Sequence, residues 1–491
     1  MHGFETRGEL VPRGRFVDTG RFGRMFPELR SLKEFSPGPV ALGGAGGPMS
    51  GAGDDNPRIK AGYTFLGQFI DHDLTLDATS SLEQQIDLAA TTNFRTPAFE
   101  LDSLYGRGPA ANPALFDRDA QVPGTFLIER DGTDLPRNAQ GTAIIGDHRN
   151  DENRIIGQLH TLFLKFHNRV LTDVVGKGLR GDAATDFEAA QKIVRWHYQW
   201  IVLHEFLPRT VGQEMVTTLL AGIDRNHVGP AYMPVEFSGA AYRFGHSQIR
   251  PAYGLGGGRA AVIFPAQPDG PILKPGDPPP VGGLPDLRGG GPLPDLLRID
   301  WSAFFGNGAS QSKLIDTKLS PPLLSLPNSV VGVPPKPEQR SLAVRNLIRG
   351  FDLKLPAGET IADFLGIERL PPDVLWKDVP QGSGHGPLWF YILREAEHFH
   401  QGQHLGGVGA FIVAKTFINL LLADKASFLW QSPKWTPDFV PDPHQPGTFT
   451  MADLVNYTLD LQGDVALPAE VIDLGSVTAA QTPTENVATQ R

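Results

Sequence analysis

"YTFLGQFIDHDLTLDATS", residues 63–80, carries Asp71, His72 and Asp73 side by side in an otherwise apolar segment. Burying Asp-His-Asp costs several kcal/mol unless each side chain finds a partner. If residues 64–73 are helical, Gln68 and His72 stand at i and i+4 on one face. Asp71 lies one step round, still within reach of that face, whereas Asp73 points about 100° away and should serve a different site. Taken alone, the stretch is explained by a buried histidine satisfied by two aspartates.

Downstream, the apolar spacing is again helical. "IIGQLHTLFLKFHNRVLTDVV" (155–175) puts Ile156, Leu159, Phe163, Phe166 and Val170 on one stripe. "DFEAAQKIVRWHYQWIVLHEFL" (186–207) reads as a second long helix, with others near 341–352, 386–398 and 406–423. Alternating strand patterns are scarce. Glycine and proline concentrate in 43–53, 251–299 and 320–338, which read as long ordered loops rather than regular elements. The expected fold is mainly α, with one domain over 1–465 and a flexible tail over 466–491.

The chain has 491 residues, a formal net charge of −10 and no cysteine. The charge gives no footprint for nucleic acid or an anionic membrane. Zero cysteine excludes disulfides, thiolate metal sites and Fe–S clusters. No run approaches the length of a membrane span, and residues 1–16 lack the apolar region of a secretory signal. A soluble monomer is expected, cytoplasmic or exported by another route.

Three further clusters carry polar chemistry. "GDHRNDENRIIGQLH" (146–160) offers Arg149 and Glu152 at i, i+3 where the long helix begins. "YRFGHSQI" (242–249) sets His246 three residues after Arg243, and "LAVRNLIRG" (342–350) offers Asn346 and Arg349 at i, i+3. Singly, each is an ordinary structural pattern. In this order, with "GQFIDHD", they resemble the motifs of the animal-type haem peroxidases of the peroxidase–cyclooxygenase superfamily, in their bacterial form. The likeness covers residues from about 15 to 440.

The resemblance implies a haem b enzyme. His72 would be the distal acid–base, Gln68 its neighbour, Arg149 the distal cation and His246 the proximal iron ligand. Asn346 would accept the proton on the other nitrogen of His246. Arg349 and Arg243 would meet the haem propionates or the proximal hydrogen-bond network. Asp71 and Glu152 match two carboxylates that can become ester-linked to haem. Asn153 stands where a family member with a third, sulfonium link has methionine, so iodide, bromide, thiocyanate or phenols are expected donors rather than chloride. "TPAFELDSLYG" (96–106) resembles the family's calcium loop, so Thr96, the Ala98 carbonyl, Glu100 and Asp102 would join Asp73. Glu100 and Asp102 replace the loop's usual Asp and Ser.

A fatty-acid oxygenase of the same superfamily would carry tyrosine three residues before the proximal histidine. Arg243 stands there, and Tyr242 is one step off. A non-catalytic adhesion or scaffold protein could have lost His72 or Arg149; both are present. His160 and His167, seven apart, are expected to serve helix packing or backbone hydrogen bonds, and "HFHQGQH" (398–404) to be a solvated helix end.

Overall fold

The computed structural model describes residues 22–75, 96–129, 131–223, 228–265, 270–280, 283–332, 336–439 and 447–461. The N-terminal 16 residues, the second part of the opening stretch (76–80) and the proposed tail lie outside them. The described residues are mainly helical, with three two-stranded sheets.

Helix α1, Ala61–Leu74, contains the opening stretch and is buried along most of its length. Phe69 stacks on Phe163 of helix α2, Arg154–Lys177, at 4.7 Å between ring centroids. Burying such a ring is worth roughly 1.5–3 kcal/mol, which fixes α1 against α2. Helix α2 starts where it does because Asn153 caps it, accepting from the Ile155 and Ile156 N–H groups. It ends at Gly178, whose φ of 65° is the left-handed conformation a helix terminus favours.

Helix α3, Asp186–Trp200, packs on α2 and opens with a capping box between Thr185 and Glu188. The sequence reads as one helix to 207, but the α-helix gives way to a π-helical turn over Ile201–Phe206 before resuming at Leu207–Val211. Pro208 has no N–H to give to the turn before it, which accounts for the change of hydrogen-bond register. Helices α4 (Leu342–Asp352), α5 (Leu388–His400) and α6 (Gly407–Ala423) lie within two residues of their expected limits.

One expectation fails in the glycine-rich region. Residues 252–262 form an antiparallel hairpin, strands β1 (Ala252–Gly256) and β2 (Arg259–Val262), rather than loop. Gly256, Gly257 and Gly258 all take positive φ, which is how so many glycines make a turn instead of breaking a strand. Tyr253 of the hairpin meets Phe65 of α1 edge-on at 5.2 Å. One continuous apolar core runs from Phe26 to Tyr457. Among the described residues, no helix is long and apolar enough to cross a membrane.

Candidate active site

A cavity of about 380 Å³ opens between α1, the turn before α2, the segment 241–246 and α4. That is within the roughly 300–1,000 Å³ of typical ligand sites. His72 and His246 both line it, as do Gln68, Asp71, Arg149, Glu152, Arg243 and Arg349. Its remaining wall is largely apolar, including Phe206 from the π-helical turn, Leu323 and Leu326.

His72 is 4 % exposed. Its Nδ1 lies 2.7 Å from Asn150 Oδ1, and its Nε2 lies 3.9 Å from Glu152 Oε1. Gln68 and His72 share a face of α1 as their spacing requires, and Gln68 donates to Glu152 while accepting from Asn153 Nδ2 at 3.2 Å. The Glu152 side chain is 42 % exposed, but that surface is cavity wall. Burial therefore pushes its pKa up to about 7, against the pull of Arg149.

That shift carries a stability consequence. A carboxyl whose folded pKa is raised binds more protons in the folded than in the unfolded state between its two pKa values. Glu152 should thus subtract stability as pH rises from about 4.5 to about 7. The urea midpoint should fall more between pH 5 and pH 8 for wild type than for Glu152→Gln. Equal falls would place the Glu152 carboxyl in an ordinary solvent environment.

Asp71 is the second carboxyl of the cavity. Burial raises its pKa, opposed by Arg149 and Arg243, and its Oδ1 accepts from the Thr75 hydroxyl at 3.2 Å. Arg149 sits on a 3-10 turn, His148–Asp151, where the Asp147 side chain accepts from the Arg149 N–H at 2.9 Å. Its Nε and Nη2 hold Asp147 at 3.1 and 2.7 Å, and Nη2 also donates to the carbonyls of His72 and Thr75. Those are orphan acceptors at the C-terminus of α1, where a guanidinium is well placed. Arg149 thus lines the cavity while pinning the backbone that carries His72.

His246 ends a 3-10 segment, Ala241–His246, which Trp389 of α5 fixes by donating to the Arg243 carbonyl at 3.1 Å. Burial, reinforced by the Arg243 charge, pushes the His246 pKa down to about 3, so the imidazole is neutral at physiological pH. Its Nδ1 lies 2.8 Å from Asn346 of α4, the partner expected from the sequence, but the direction of the bond differs from expectation. Asn346 presents Nδ2 to His246 because its Oδ1 accepts from Arg243 Nη1 at 3.1 Å, and a guanidinium can only donate. Arg243 is therefore joined to His246 through Asn346. Metal binding through His246 Nε2 would require the Asn346 carboxamide to turn over, placing Oδ1 on a protonated Nδ1.

Asp73 points away from the cavity, as expected from its position on α1. Its Oδ2 accepts from the Leu101 N–H at 3.1 Å, so it reaches the 96–102 loop. Leu101 takes a positive φ of 58° there. Ala98 N–H bonds to the Thr96 carbonyl and Glu100 N–H to the Ala98 carbonyl, turning the loop tightly. Among the described residues no group of three acidic or histidine side chains stands ready to hold a metal, while Asp73 and Asp102 both act on the buried Tyr198 hydroxyl. Arg195 bonds the Glu100 main-chain carbonyl at 2.9 Å.

One neighbour of His72 escapes the sequence reading and another does more than was read from it. Asn150 was hidden by its position between Arg149 and Glu152, and His160, which packs edge-on against Phe69 as expected, also bonds a side chain. Asn150 Nδ2 lies 2.9 Å from His160 Nδ1, joining His160 to His72 through one carboxamide. No spacing rule links positions 72, 150 and 160. His167 does fit the bland account, between the Tyr105 hydroxyl and the Gly124 carbonyl. Residues 398–404 include the end of α5, with His400 and His404 rings 4.0 Å apart.

The family model described as animal haem peroxidase matches residues 121–259, which include Arg149, Glu152 and His246. Thyroid peroxidase of Sus scrofa is 27 % identical over 325 residues, covering 59 % of this chain and 31 % of the relative. The Homo sapiens protein is 28 % identical over 329 residues, covering 64 % and 31 %. The chain thus spans about a third of the length of these curated relatives. Peroxidase A from Dictyostelium discoideum shares the fold with a TM-score of 0.54 at 17 % identity, covering 90 % of this chain and 92 % of the other. Fatty acid alpha-dioxygenase of Arabidopsis thaliana does so with a TM-score of 0.55 at 15 % identity, covering 87 % and 76 %. Residues 121–259 thus match the animal haem peroxidase family, and these likenesses together support a place in the peroxidase–cyclooxygenase superfamily.

Proposed function

We propose that this chain is a haem peroxidase that uses hydrogen peroxide to oxidise iodide, bromide, thiocyanate or small phenolic donors. The observation that carries the reading is one cavity lined by both His72 and His246, each with Nδ1 on an asparagine side chain. The residues fit a haem. A neutral imidazole suits iron, the apolar wall suits a porphyrin, and Arg349 suits a propionate. Bound haem would supply the two-electron redox chemistry with peroxide. His72 would take a proton on Nε2 from one peroxide oxygen and return it to the other. Arg149 would hold positive charge beside the departing oxygen. Gln68 would hold Glu152 and line the peroxide or halide position.

Asp71 and Glu152 are the candidates for ester links to haem. Acidified organic extraction after haem loading and peroxide treatment should leave haem on the wild-type protein. Asp71→Val and Glu152→Gln should each release more of it, and the double variant nearly all. Unchanged retention in the double variant would refute both links.

Calcium is proposed on the oxygen-rich sequence of residues 96–102 and on the Asp73–Leu101 bond, with Asp73, Thr96, the Ala98 carbonyl, Glu100 and Asp102 as ligands. Calcium added to chelator-treated protein should raise the melting temperature of wild type and not of Asp73→Ala. No rise in wild type would remove calcium from the account.

A fatty-acid dioxygenase is the second reading, and its support is likeness of fold. Arg243 occupies the position of that chemistry's tyrosine, and the Tyr242 hydroxyl donates to the Gly67 carbonyl at 3.2 Å. The deciding experiment supplies peroxide with iodide to one sample and oxygen with palmitate to another. Iodide turnover supports the peroxidase, and palmitate turnover alone overturns it.

A further inference from the structure

We propose that Asn150 and His160 are positioning residues that hold His72 with its proton on Nδ1 and its basic Nε2 toward the cavity. The inference rests on the peroxidase reading only in treating His72 as the proton carrier.

The argument begins with one carboxamide. Asn150 Oδ1 can only accept, so the 2.7 Å contact requires a proton on His72 Nδ1. Asn150 Nδ2 can only donate, so the 2.9 Å contact requires a lone pair on His160 Nδ1. A single amide therefore sets two tautomers. A neutral His72 with Nδ1 protonated has its lone pair on Nε2, the nitrogen 3.9 Å from Glu152. That is the form able to take a proton from a molecule in the cavity. With the other tautomer, Nε2 would already carry a proton and could not act as base.

The surroundings hold this arrangement rigidly. Asn150 and His160 are fully buried, where an unmade hydrogen bond is costly and a made one is strong. The Asn150 N–H bonds to the Asp147 carbonyl within the 3-10 turn. Arg149 takes the main-chain carbonyl of His72 at 3.0 Å, and the next residue, Asn150, takes its ring. Two consecutive residues thus fix both the backbone and the imidazole. His160, in the second turn of α2, gives the carboxamide its orientation: without an acceptor there, the amide can turn over and reverse the tautomer of His72.

The test reads the tautomer directly. The full chain, labelled with ¹⁵N-histidine and without added haem, is examined by long-range ¹H–¹⁵N correlation, with His72 assigned by its loss in His72→Gln. Wild type should show Nδ1 protonated and Nε2 bare. His160→Gln keeps an acceptor and should keep that pattern, whereas His160→Leu and Asn150→Leu should populate the Nε2-protonated form. On haem-loaded protein, the peroxide-driven change of the Soret band should slow roughly 10–100-fold in the two leucine variants, at undiminished haem retention. His160→Gln should stay near wild type. Protonation of Nε2 in wild type would overturn the proposal even if a leucine variant failed to fold. So would an unaltered tautomer or unaltered rate in folded Asn150→Leu. Haem retention with a Nε2-protonated His72 would sink this inference alone; a chain that never binds haem, with His72 protonated on Nδ1, would sink the peroxidase reading alone.

Discussion

His246→Ala should abolish haem retention while the protein stays folded. Removing the imidazole deletes one hydrogen bond, to Asn346, worth about 1 kcal/mol. The core from Phe26 to Tyr457 is untouched, so far-ultraviolet circular dichroism should match wild type. The iron, by contrast, would lose its axial nitrogen, for which the neutral His246 is the candidate in the proximal segment. Added imidazole should enter the space left by the side chain and restore part of the Soret band. A Soret band of wild-type intensity without imidazole would remove His246 from the ligand role and, with it, the haem assignment.

His72→Leu should do the opposite: haem stays and reaction with peroxide nearly stops. Leucine fills a similar volume but has no basic nitrogen, and positioned proton transfer is typically worth about 10²–10⁴ in rate. Stopped-flow observation of the Soret band on mixing with peroxide should show a loss in that range. Asn150 Oδ1 would be left buried without His72, at a cost of about 1–3 kcal/mol. Melting temperature should therefore fall modestly beside the large kinetic loss. A rate within a few-fold of wild type would show that another group carries the proton. Glu152, 3.9 Å from His72 Nε2 and with its pKa near 7, would be the first to test.

The two histidines differ in how they could be found. His72 was legible because α1 places Gln68, Asp71, His72 and Asp73 at fixed angles, and helical geometry needs no tertiary information. Those angles hold: Gln68 and His72 face the cavity, and Asp73 faces the 96–102 loop. His246 was legible only through its likeness to a family motif, since a 3-10 segment has no periodicity long enough to read. The helices α2, α4, α5 and α6 were visible because each buries an apolar stripe over several turns. The hairpin at 252–262 was not, because glycine-rich sequence serves a tight turn and an irregular loop equally well.

By itself the sequence determined what is local or repeated along one element: the helical class, the face of α1, and the residue types offered to the cavity. Tertiary structure alone decided which polar groups satisfy one another. Arg243 claims the Asn346 oxygen and reverses the expected bond to His246. Arg149 spends its donors on the C-terminus of α1 as well as facing the cavity. Asn150 joins two histidines 88 positions apart in the chain. The physical reason is common to all three. A buried donor or acceptor must be paired, but hydrogen bonding is indifferent to distance along the chain, so the partner is chosen only when the elements pack.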